Sequence, residues 1–95
     1  MKASNDYLLA FVKQMDFELK ANEHKGDWRN FVDKSEIRRE LEYHLNKLSK
    51  AENDYAKAID PEKRQTNKLL IKEYIADSAN ILMMLGKAYK LYEKD

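Results

Sequence analysis

The chain has 95 residues, which is room for one domain, 1–95, with a core small enough that association with another subunit is a common remedy. Lys and Arg number 18 against 17 Asp and Glu, so the basic excess that marks a nucleic-acid binder is missing. There is no cysteine, which excludes a disulfide scaffold, a thiolate metal site and a Cys nucleophile.

Three helices are predicted. The first runs from about Asn5 to Asn22, because Tyr7, Leu8, Phe11, Met15 and Leu19 recur at spacings of three and four and mark one apolar face. A corner follows from about Glu23 to Lys34. It gathers His24, Lys25, Gly26, Asp27 and the only Trp, Trp28; Gly26 supplies a bend and Trp28 a plug between helices.

The second helix starts at Asp33, which caps it, with Glu36 three residues on in a capping-box arrangement. Its stripe is Ile37, Leu41, His44, Leu48, Ala51 and Tyr55, spaced alternately four and three, the seam of a helix packed lengthwise on another. His44 stands where Leu or Ile is expected. Asp60-Pro61 ends this segment; either Asp60 or Thr66 caps the third helix, which then continues to about Glu93. More than half the circumference of this last helix is apolar, which calls for cover by another subunit or for a binding surface. Met83-Met84 reads as gap filling at a helix contact. No apolar run follows basic residues at the N-terminus and no segment approaches about 18 uninterrupted apolar residues, so the expectation is a cytoplasmic protein with no membrane partner.

The polar residues inside these stripes carry whatever chemistry there is. Glu40, His44 and Lys47 share a face of the second helix, and Glu73, Asp77 and Asn80 repeat the spacing on the third. An inward Asp77 needs a partner, because burying a lone carboxylate costs several kcal/mol. Three readings stay open. Asp77, Glu73, Glu40 and His44 hold a divalent cation; or Asp77 pairs with Lys47 while His44 bonds Glu40; or all are partly solvated. Tyr43 and Tyr74 are core aromatics with wet hydroxyls, or platforms for a base. Gly-rich phosphate loops, nucleophile elbows and zinc-spaced His pairs are all missing from the sequence.

Two stretches together resemble the MazG-like family of all-α nucleoside triphosphate pyrophosphohydrolases. In "FELKANEHKGDW" the matching residues are Lys20, Asn22, His24, Lys25, Gly26, Asp27 and Trp28; in "KEYIADSANILMML" they are Ala76, Asp77, Ala79, Asn80, Met83 and Met84. The resemblance spans roughly 6–91. It implies an all-α antiparallel bundle completed by dimerisation, as a homodimer or dimer of dimers, and Mg²⁺-dependent hydrolysis of a nucleoside triphosphate to monophosphate and pyrophosphate. It also implies four carboxylate ligands, from a Glu-Glu-x-x-Glu and a Glu-x-x-Asp helix. Those positions fall here on Tyr43, His44 and Lys47, and on Tyr74 and Asp77, so only Asp77 matches. Glu73 is one residue early, a rotation of roughly 100° on a helix.

The coordinated loss favours the structural pair, with the Lys47 ammonium neutralising Asp77 in place of a metal. The expectation is therefore a nucleotide-binding or regulatory protein. Tyr43, His44, Lys47, Tyr74, Asp77 and Asn80 line its cleft, and His24, Lys25 and Trp28 stand at the mouth. The alternatives are an active enzyme using Mg²⁺ on Asp77, Glu73, Glu40 and His44, and a purely structural dimer.

Overall fold

The computed structural model of the chain describes residues 2–93. Three α-helices carry the fold: α1 (Lys2–Ala21), α2 (Lys34–Lys57) and α3 (Pro61–Ala88). Two single 3₁₀ turns, Glu23–Lys25 and Trp28–Asn30, occupy the corner between α1 and α2. Among the described residues there is no strand, so the fold is all-α.

Each boundary has a local cause. Asp33 accepts the backbone N–H groups of Ser35 and Glu36 at 2.9 and 3.2 Å, which fixes the start of α2. Asp60, not Thr66, caps α3: it accepts from Glu62 at 3.0 Å, Pro61 fills the first turn, and the Thr66 hydroxyl donates to the Glu62 carbonyl inside the helix. The α2–α3 turn is tied by Arg64. Its guanidinium stacks on the Tyr55 ring at 4.3 Å and donates to the carbonyls of Tyr55 and Ala58.

α3 ends at Ala88, five residues before the expected Glu93. Lys90 adopts φ 60°, the Leu91 N–H reaches back to Gly86 and the Lys90 N–H to Lys87. This is a Schellman stop built without glycine at its left-handed position. The reversed chain lays Tyr92 on the helix so closely that a Cβ at Gly86 would stand 2.8 Å from its ring.

The contacts give the topology. Along α2, Lys34 meets Tyr89, His44 meets Asp77, Lys47 meets Tyr74 and Tyr55 meets Arg64, so α2 runs antiparallel to α3. α1 also runs against α3, with Met15 bonded to Asn80 and Glu18 near Asp77 and Glu73. α1 hardly touches α2. α3, about 42 Å long by its 28 residues, is therefore the central element. The corner has to run back along it, because α1 ends near the middle of α3 and α2 starts near its C-terminal end.

The fully sequestered apolar core is thin: Ile37, Ala51, Ala76 and Ile81. The seam predicted on α2 is observed, with Ile37 and Ala51 buried and Leu41, His44, Leu48 and Tyr55 half-buried. The face predicted on α1 is only partly used. Phe11, Met15 and Leu19 pack inward while Tyr7 and Leu8 stay exposed. The chain measures 51 × 36 × 22 Å with a radius of gyration of 15.2 Å, against about 12 Å for a compact domain of this length. It is a slab about two helices thick.

Ile37 is 0% exposed and is the one large side chain fully enclosed among the described residues. Replacing it with Ala should cost about 2–5 kcal/mol. At about 4–8 °C per kcal/mol, that lowers the thermal midpoint by about 8 °C or more. A shift under about 4 °C in a circular-dichroism melt would contradict this core.

Candidate functional site

A cleft of about 830 Å³ opens between α1, the corner, α2 and α3. α1 contributes Glu18, Leu19 and Asn22. The corner contributes Lys25, Trp28 and Phe31 among others, α2 contributes Glu40, His44 and Lys47, and α3 contributes Glu73, Asp77, Asn80, Ile81 and Met84. The polar sets of α2 (Glu40, His44, Lys47) and α3 (Glu73, Asp77, Asn80) thus reach one site because the helices are antiparallel and both sets repeat at helical spacing.

The corner is shaped by Gly26, at φ 116°, a conformation side chains resist. Asp27 then caps the second 3₁₀ turn by accepting the Arg29 N–H, and its two oxygens also take the Arg29 guanidinium at 3.0 Å each. That hydrogen bonding, the guanidinium's first, holds the Asp27 carboxyl below the ordinary range and the Arg29 guanidinium above its own. Trp28 is half-buried and forms cleft wall. It is not the sealed plug expected, so the full cost of deleting a buried ring does not apply to it. His24 is exposed and does not line the cleft.

Asp77 does lie inward, but its partner is not Lys47. His44 Nε2 stands 3.9 Å from Asp77 Oδ2, with both side chains mostly shielded. The Lys47 ammonium sits instead between the rings of Tyr43 and Tyr74, 4.9 and 5.0 Å from their centroids. The two tyrosines are therefore a clamp for lysine and do not line the cleft as base platforms. Lys47 stays near enough to favour the Asp77 anion without contacting it.

The His44 ring is oriented by its other nitrogen. Nδ1 lies 2.9 Å from the Glu40 backbone carbonyl, which only accepts, so Nδ1 carries the hydrogen. Nε2 then faces Asp77, and a bond between them needs one proton shared by the two groups. Burial raises the Asp77 carboxyl above its usual range; His44 opposes this, Glu73 adds to it, and Lys47 and Lys25 oppose it more weakly.

Glu18 is the residue the sequence reading missed. It is 5% exposed, more enclosed than any other acid among the described residues. Burial raises its carboxyl, Asp77 and Glu73 add repulsion, and a 2.9 Å hydrogen bond from Gln14 works the other way. The signal was present: Phe11, Met15, Glu18 and Asn22 are spaced four, three, four, so Glu18 lies on the inward seam. Asn80 is 3% exposed; its amide donates to the Met15 carbonyl at 2.9 Å, and its Oδ1 has no partner.

Six carboxylates and three cationic side chains line this cleft. Glu40, His44, Glu73 and Asp77, the proposed cation ligands, all face it. Among the described residues, however, no three His, Asp or Glu side chains converge to hold a metal ion. They share the cleft as separate polar groups and form no preassembled ligand cluster. Comparisons with protein-family models, curated proteins and solved structures find no match to the chain.

Glu18 and Asp77 set a pH dependence. Both carboxyls bind protons more tightly folded than unfolded, so their contribution to stability is fully present below the unfolded values near pH 4 and is lost as pH rises through the folded ones. Glu18→Gln removes that penalty while keeping the acceptor for Gln14. It should raise the thermal midpoint at pH 7 and lose the advantage near pH 4. A variant less stable than the parent at pH 7 would contradict the assignment.

Proposed function

We propose that the chain is a MazG-like nucleotide-binding or regulatory protein, a cytoplasmic homodimer or dimer of dimers, whose cleft takes a nucleoside triphosphate without family-type metal catalysis. The observation that carries this reading is the cleft itself. The two stretches that resemble the family, the Lys25–Trp28 corner and the Asp77–Asn80 turn of α3, form walls of one cavity. Its volume lies in the range of small-ligand sites. Trp28 offers a face for a base, and Lys25 stands on the exposed side where phosphates meet solvent.

Calorimetry of the full chain with deoxynucleoside triphosphates, with and without Mg²⁺, tests the proposal. Saturable binding with no pyrophosphate release is expected, weakened by Trp28→Ala. No heat at saturating nucleotide removes the binding half, and pyrophosphate release removes the non-catalytic half.

Self-association is supported by the outer face of α3. Ile75, Leu82 and Tyr89 repeat at seven residues and are 40%, 54% and 57% exposed. With so thin a core, this row gains from cover by a second copy. Light scattering should give at least a dimer, and Leu82→Glu should give a folded monomer or lower its melting point. A monomeric parent at high micromolar concentration removes the dimer.

A further inference from the structure

The corner forms one wall of the cleft, yet little ties it to the helices. Among the described residues, the hydrogen bonds and ion pairs of residues 23–31 all stay within 22–31. None of these residues is buried, and only Trp28 and Phe31 are half-covered, where the second 3₁₀ turn touches α3. Inside itself that turn is stiff, because Asp27 takes both the Arg29 backbone N–H and the Arg29 guanidinium. At its start stands Gly26, at φ 116°; a Cβ there would meet nothing within 4 Å, so packing does not hold the backbone in place. Past its end, Phe31 and Asp33 are extended and Val32 is exposed. Asp27–Phe31 is therefore a stiff flap between two loose joints. Its apolar residues Trp28 and Phe31 line the cleft, and Leu19 of α1 and Met84 of α3 line it from the helices. All four are half-buried, so apolar surface remains to be covered on both sides.

We infer that Asp27–Phe31 is a lid that closes on the base of a bound nucleotide, pressing Trp28 and Phe31 onto it from one side against Leu19 and Met84 on the other. The inference rests on the nucleotide reading above and adds a conformational step to it. A planar base offers apolar contact to both walls at once, which the walls do not give each other across the cleft. Binding therefore shifts the lid towards its closed position. Moving the lid breaks no hydrogen bond to α1, α2 or α3 among the described residues, so the motion costs little polar pairing. Arg29 travels with the lid as a unit with Asp27, while Lys25, on the other side of the Gly26 joint, stays with the end of α1.

Trp28 is the only Trp of the chain, so its fluorescence reports the lid alone. The test is stopped-flow mixing of the full chain with increasing dATP and Mg²⁺, with calorimetry to establish that dATP binds. Binding coupled to closure gives an observed rate that levels off as dATP rises; docking on a fixed wall gives one that climbs linearly. A plateau is expected. Gly26→Ala, checked for folding by circular dichroism, should shift that plateau by at least about threefold, because an L side chain resists the backbone conformation at this joint. Hydrogen exchange should show the Asn30 and Phe31 amides slowed at least about fivefold by saturating dATP. A linear rate, a plateau that a folded Gly26→Ala leaves in place, or lid amides unchanged by dATP that calorimetry shows to bind overturns the lid and leaves nucleotide binding standing. If calorimetry shows no binding, the nucleotide reading falls and takes the inference with it.

Discussion

The rest of this structure depends on an acid that the central helix carries inward. Asp77 sits at mid-length of α3, where a three-helix bundle would ordinarily place leucine, and no ammonium contacts it. It faces an imidazole at 3.9 Å, with the nearest lysine held between two tyrosine rings. α1 adds a second enclosed acid, Glu18, and α3 carries the enclosed Asn80, whose amide donates to the Met15 carbonyl. Such groups cannot be sealed in a dry interior without partners. The helices therefore stay apart along this line, the corner runs back over the gap, and a polar cleft stands where apolar packing would otherwise continue.

This explains why so little of the apolar surface is enclosed. Two of the four fully buried hydrophobic residues are alanines, which marks close approach of helices more than filled volume. Tyr7, Leu8, Leu9, Val12 and Phe17 of α1 and the outer row of α3 remain at the surface. The chain has put part of its interior to polar use, and its shape is flatter than its length requires.

Much of the fold was legible in the sequence, because its signals are local. The four-three spacing from Ile37 to Tyr55 marked the packed side of α2 correctly, and Asp33 and Asp60 were readable as caps from their position before helical runs. The end of α3 was not, since its left-handed stop falls on Lys90, a residue type with no preference for that conformation. The site was half legible. Helical spacing brought the α2 and α3 polar sets to one cleft, but it gave no means of choosing between His44 and Lys47 as the neighbour of Asp77. Charge alone pointed to lysine; the aromatic rings of Tyr43 and Tyr74 compete for the same ammonium, and that competition depends on three-dimensional placement. Glu18 was passed over because an acid inside an apolar seam reads as a surface residue until its neighbours on the facing helix are known.

The most direct measurement is an NMR titration of the Asp77 side-chain carboxyl carbon, followed with and without nucleotide. The account predicts a midpoint above that of ordinary aspartates in the free protein, and a displacement on nucleotide addition that also moves the Asn80 side-chain amide. A carboxyl that titrates like a solvent-exposed aspartate, and is left unmoved by a nucleotide that binds, would contradict it.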